Sequence, residues 1–316
     1  MTGGALSAAL SGTRGALRRA KRMLPTVTTE PVREAPAPWR LALSTGLSMV
    51  SAAGLALVLT ITLVSQLQHF TAQNALYEQA RLELAEGSIP IGQTDLDGKL
   101  VQPGSPVAIL LIPALGIREV IVEGTASSQT KLGVGHRRDT PLPGQPGSSV
   151  LMGRSAAYGG VFAHIDQLGF GSEIRVITGQ GTSRYVVRGV RTAETELPVL
   201  SGNQSRLTLT TATGLPFVPN GVLRVDAELA SPPFERPPVA VRSGVVDDEE
   251  QALASDTSGA FALSWLAELL LIMVIAATWI WKRLPRRVAW MLVAAPIACV
   301  TLAVCGGVAS LLPNLL

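Results

Sequence analysis

Three stretches of this chain are apolar almost without interruption, and most of the rest alternates between apolar and polar residues in short runs. Residues 41–66 carry no ionisable side chain, and a helix needs about 20 mainly apolar residues to cross a bilayer core. The runs 261–281 and 288–312 have the same character and are separated only by KRLPRR around Pro285. That separation predicts an antiparallel helical hairpin. The first run is followed by a long acid-rich polar segment without a convincing cleavage site, so it reads as a retained anchor and not a removed signal peptide.

Between the first two spans the pattern shortens. NALYEQARLELAEG places Leu76, Ala80 and Leu84 at helical spacing and ends on Gly87, which predicts a juxtamembrane helix. From residue 101 onward, strands of period two are expected over 106–115, 118–124, 149–153, 172–179, 183–194, 205–212 and 220–229. TGQGTS at 178–183 has the composition of a hairpin turn. One helical piece, 161–170, puts Phe162, Ile165 and Leu168 on one side. Strands of this length and spacing suggest a closed β-barrel. The expected organisation is a largely disordered tail (1–40, with helix across 6–24), a first transmembrane helix (41–66), a juxtamembrane helix and linker (67–100) and a barrel domain (101–230). A Pro-rich then acidic tether (231–260) follows, then two more transmembrane helices (261–281 and 288–312) around a short loop (282–287).

Charge orients these elements. Residues 1–40 hold seven Arg or Lys and the hairpin four, whereas 67–260 holds fifteen basic and twenty acidic residues. Lys and Arg beside a span favour the cytoplasmic side, so the tail and hairpin are expected on the cytoplasmic side of the membrane, with the barrel domain and C-terminus outside. Trp39, Trp265, Trp281 and Trp290 fall near the expected membrane boundaries, where indoles are favoured. The net charge of +3 and pI near 9.1 therefore mark topology, and no nucleic-acid partner is expected. Both cysteines, Cys299 and Cys305, lie in the third span; they cannot staple the barrel, and with three scattered histidines they give no metal-binding pattern. No cofactor is expected.

The order IPALGIREVIVEG, LGVGHRRDTPLPGQPGSSVLMG, YGGVF, LGFGSEIRV, SRYVV, LTLTTA and NGVLRVDAEL resembles a sortase domain of the actinobacterial class E or D kind across residues 101–230. The Ala-, Gly-, Arg- and Pro-rich, Lys-poor composition also fits a GC-rich actinobacterium. The resemblance implies a mostly β fold: a closed barrel of about eight strands with short helices, beside the three transmembrane α-helices. It also implies an extracytoplasmic cysteine transpeptidase that joins secreted proteins to the cell wall or to pilins, using a cysteine, a histidine and an arginine. Aligned on the family's pattern, the histidine position is Arg154, the cysteine position Ala212 and the arginine position Val222. All three groups are replaced. Alanine offers no nucleophile, and an arginine does not exchange protons near neutral pH.

The expectation is a pseudoenzyme: a catalytically inactive, sortase-like membrane subunit serving as scaffold or recognition module in a bacterial cell-envelope complex. Its expected partners are other integral membrane or envelope proteins or a second copy of itself, with a peptide or cell-wall component in the cleft. The candidate cleft comprises Arg154, Ser155, Thr211, Ala212, Val222 and His136. The alternative keeps an enzyme, through a hydroxyl site (Thr211 or Ser155 with His136) or as activator of a catalytic partner. His164 reads as an exposed helix residue and His69 as a boundary residue without a special role. Glu268, about seven residues inside the second span, is costly in hydrocarbon; with the small residues Gly306 and Gly307 it is the candidate for assembly in the membrane.

Overall fold

The computed structural model describes residues 38–192, 198–242, 244–257 and 259–316. The expected tail therefore lies outside the described residues except for its last three positions. Three helical stretches are long and apolar enough to cross a membrane. The first begins as α1 (Pro38–Leu59), passes through a π-helical turn (Thr60–Val64) and continues as α2 (Ser65–Glu86). The juxtamembrane helix is thus the direct continuation of the first apolar helix and not a separate piece. Thr60 and Ser65 bond back to the carbonyls of Ala56 and Ile61, the local competition for backbone acceptors that accompanies such bulges. Gly87 ends the rod in the left-handed conformation (φ 69°), its amide reaching Glu83 and Leu84, the helix stop that glycine permits.

Eight strands close a mixed barrel in the order β1-β2-β3-β4-β7-β8-β6-β5. They are β1 (Pro106–Ile112), β2 (Ile117–Glu123), β3 (Val134–His136), β4 (Gly147–Met152), β5 (Glu173–Thr178), β6 (Gly181–Arg191), β7 (Ser205–Leu215) and β8 (Val218–Leu229). β2 with β3 and β4 with β7 are parallel; the other pairs are antiparallel. Seven strands fall where the alternation places them, and Thr178 faces Gly181 across the expected hairpin turn. Inward-pointing side chains of every strand but β3's outer residues meet in one core, including Leu110, Ile121, Val134, Leu151, Ile174, Tyr185, Leu207 and Val225. One turn of helix, α3 (Ser127–Thr130), lies between β2 and β3.

Two expectations change. The helix over 161–170 contracts to a 3₁₀ turn at Ile165–Gln167. Phe162, Ile165 and Leu168 are all buried in the barrel core, so packing anchors the segment while Gly159, Gly160, Gly169 and Gly171 bracket it with turns. The stretch 231–260 is not a free tether. Phe234 donates its amide to Gly144, Gln93 binds the backbone of Ala240 and Val241, and Glu250 is buried against Arg138 at 3.4 Å. The remaining helices, α4 (Ala260–Arg283) and α5 (Arg286–Ser310), form the expected hairpin, turning at Leu284 and Pro285. α5 also packs against the π-helical turn of the first rod.

Candidate functional site

The barrel end carrying the candidate residues is built by the close of β4 and the adjoining ends of β7 and β8. β4 runs parallel to β7 with Met152 beside Thr210, and Gly153 donates its amide to the Thr210 carbonyl. Ala212 on β7 faces Val222 on β8. Arg154 lies two residues beyond the end of β4 and one beyond Gly153. A β-carbon on Gly153 would stand 2.5 Å from the Phe162 ring, so only glycine lets the chain leave β4 at this point with Phe162 in the core.

This end of the barrel is filled by the chain itself. After α5, residues 311–316 turn back over β4. Leu315 and Leu316 are buried with Met152 and Ala212, and Val150, Val222, Ala252 and Leu253 pack around them. Ser155 donates its amide (2.9 Å) and its hydroxyl (3.1 Å) to the Leu315 carbonyl. Asn314 is fully buried; its amide nitrogen on the main chain reaches Ala254, and its carboxamide donates to Thr125 and Gln251, each at 2.7 Å.

Arg154 is fully buried at the centre of this arrangement. Nη1 donates to the Leu316 backbone oxygen at 2.9 Å and to Pro313 at 3.3 Å. Nη2 donates to the Ser127 carbonyl and hydroxyl at 3.1 and 2.7 Å. The Ser127 hydroxyl in turn reaches the carbonyls of Ser310 and Leu312, among the acceptors that a helix C-terminus leaves unpaired. The guanidinium lies 4.8 Å from the centre of the Tyr158 ring. Among the described residues no carboxylate side chain pairs with it, so backbone dipoles, the adjoining helix C-terminus and a ring face compensate the charge. Burial draws its pKa down to about 10, which leaves it charged near neutrality. Tyr158 holds a left-handed backbone (φ 50°), and its amide rests on the Ser65 hydroxyl at the end of the π-helical turn.

The remaining candidates have other partners. His136 is buried and committed at both ring nitrogens: Nδ1 to Glu123 at 2.9 Å, Nε2 to the Pro141 carbonyl at 3.1 Å and the Thr140 hydroxyl at 3.2 Å. The Thr211 hydroxyl donates to the Gly153 carbonyl at 2.9 Å. The structure joins neither Thr211 nor Ser155 to His136, so the hydroxyl–imidazole dyad expected as the alternative is not assembled. His164 is exposed. His69, far from idle, lies 3.2 Å from Glu119 and fixes the first rod to β2. An open groove of about 370 Å³ adjoins it, lined by Phe70, Asn74, Tyr77, Arg118 and Val120. Among the described residues no cluster of His, Cys, Asp and Glu could hold a metal ion.

A family model for the sortase domain matches residues 110–224. This chain contains a sortase domain. Its sortase sequence is 29% identical over 126 residues to sortase D of Bacillus subtilis (strain 168), a match covering 39% of this chain and 62% of the relative. The chain thus spans less than two thirds of that relative's length. Similar solved structures include the sortase D5 transpeptidase of Clostridium perfringens, 22% identical over 51% of this chain and 99% of the other, with a TM-score of 0.42. Sortase E of Streptomyces avermitilis is 29% identical over 42% and 91% of the two chains, with a TM-score of 0.36. Glu268 lies on α4 with an exposed side chain. A β-carbon on Gly307 would meet Leu263 at 2.8 Å, so Gly307 serves the close approach of α4 and α5 within the chain; Gly306 faces open space. The residues missed by sequence reasoning are Ser127, Asn314, Leu315 and Leu316, whose pairing with the cleft spans up to 189 positions of sequence.

Proposed function

We propose that this chain is a non-catalytic sortase-like subunit of the bacterial cell envelope, anchored by three transmembrane helices with tail and hairpin inside and barrel outside. It works as a recognition or scaffold module for other membrane or envelope proteins. The reading rests above all on Arg154: at the position the resemblance assigns to the general acid, a buried cation is hydrogen-bonded into the chain's own backbone. Two further observations support it. Both cysteines are on α5, and the Thr211 hydroxyl donates to the Gly153 carbonyl, which supports a site without an activated nucleophile of the usual kind among the described residues. The exposed Glu268 on α4 supplies a polar contact for a partner helix, since carboxylates in apolar spans usually turn toward protein or water.

The test is to purify the full chain from its native membrane and to measure both stoichiometric co-purification and cleavage of sorting-type peptides. A defined partner lost on Glu268→Leu, with no turnover sensitive to Thr211→Ala or Ser155→Ala, is the expected result. Turnover abolished by either hydroxyl substitution overturns the non-catalytic reading.

A further inference from the structure

The segment after α5 presents its main-chain oxygens to the end of the barrel in a turn, the Leu316 amide donating to the Pro313 carbonyl at 3.1 Å. Three main-chain carbonyls of the segment after α5 are engaged by side chains or amides of the cleft: Pro313 and Leu316 by Arg154, Leu315 by Ser155. These contacts read backbone and would serve many sequences. Selectivity comes from two further features. The Asn314 carboxamide donates to two carbonyls, those of Thr125 and Gln251, a demand that an Asp side chain would not meet because it has no donors at neutral pH. Leu315 and Leu316 enter an apolar floor of Met152 and Ala212. The segment supplies both acceptors of Arg154 Nη1, beside Ser127 on Nη2 and the ring face of Tyr158.

We propose that the sortase-type cleft of this chain is a peptide-binding site whose occupant is its own segment Pro313–Leu316, seated as an intramolecular ligand of the pattern Asn-Leu-Leu in a turn closed by the Leu316 amide on the Pro313 carbonyl. The assignment rests on the non-catalytic reading only in giving the cleft a binding role, and its test does not assay turnover. Ala212 is 8% exposed beneath the two leucines. In a Cys299→Ala, Cys305→Ala background, the purified full chain carrying Ala212→Cys is treated with a polar maleimide in detergent micelles. Slow labelling is expected, rising about tenfold or more when residues 313–316 are deleted, as loss of a local closing equilibrium dictates. A synthetic peptide of residues 311–316 should return the deleted form to slow labelling.

Equal labelling with and without the segment overturns the proposal, and so does a rise that the peptide fails to reverse. Val187→Cys, at a fully buried core position, reports whether the barrel itself has opened. If deletion exposes Val187→Cys as well, the milder Leu315→Asp substitution replaces the deletion; Ala212→Cys remaining protected in that variant also overturns the proposal. Failure here leaves the partner-capture result untouched, so the two readings fail separately.

Discussion

A single buried ion pair sets how the barrel should respond to pH. His136 and Glu123 are both buried, with Nδ1 and the carboxylate 2.9 Å apart. Burial alone would lower the imidazole pKa; the Glu123 charge and hydrogen bond, helped by the Pro141 carbonyl and Asp139, outweigh it and raise the value above the ordinary 6.5. A histidine whose folded pKa is raised stabilises in full below its unfolded pKa and ceases to do so as pH climbs through the folded one. Glu250, whose carboxyl is pushed up chiefly by burial against the opposing pull of Arg138, acts in the same sense from a lower pH. The thermal midpoint of the purified protein should therefore fall as pH rises from below 6.5, and His136→Gln should flatten that slope. An unchanged slope in the variant would assign the dependence to other groups.

At the scale of elements, the close approaches matter more than the alternation that announces them. The expected strands are recovered because period-two burial is written into them: Glu173–Thr178 alternates exposed and buried from its first residue. β3 was not legible. It has three residues, and a β-carbon on its Gly135 would stand 2.4 Å from the Gly124 carbonyl; the strand exists because two neighbours close on it, which no local pattern records. The same reasoning applies at the end of β4. Gly153→Ala would drive a methyl group into the buried Phe162 ring, and about 1–3 kcal/mol of stability should be lost, read as a lowered midpoint in thermal or denaturant unfolding. A variant as stable as the parent would show that the Phe162 side chain has room to move.

On the scale of the whole molecule, the site was half legible. Ala212 and Val222 face each other because strand register fixes them, and Arg154 follows the end of the strand beside β7. Their occupant was hidden, since Leu315 and Leu316 extend an apolar run that reads as the end of a membrane span; Asn314 after Pro313 was the one local signal against that reading. The arrangement makes a sharp prediction for the resemblance on which the three positions rest. The combined changes Arg154→His, Ala212→Cys and Val222→Arg should yield no thioester with a sorting-type peptide while residues 313–316 remain. If any acylation appears, mass spectrometry should find it only after that segment is deleted. Acylation in the undeleted triple variant would mean that the segment does not obstruct the cleft.

Asn314 holds the main-chain carbonyl of Gln251 from 63 positions away, so the helical hairpin leaves the barrel and returns to nearly the same point. The excursion is a ring closed by hydrogen bonds. Because the two helices already double back at Leu284 and Pro285, little of the entropy of closing so long a loop remains to be lost when the ring shuts. Tethering at this distance gives the returning segment an effective concentration on the order of millimolar. A free peptide or a second copy at micromolar levels would then compete poorly for the cleft, and exchange would require a change in the packing of the hairpin before any rival could enter.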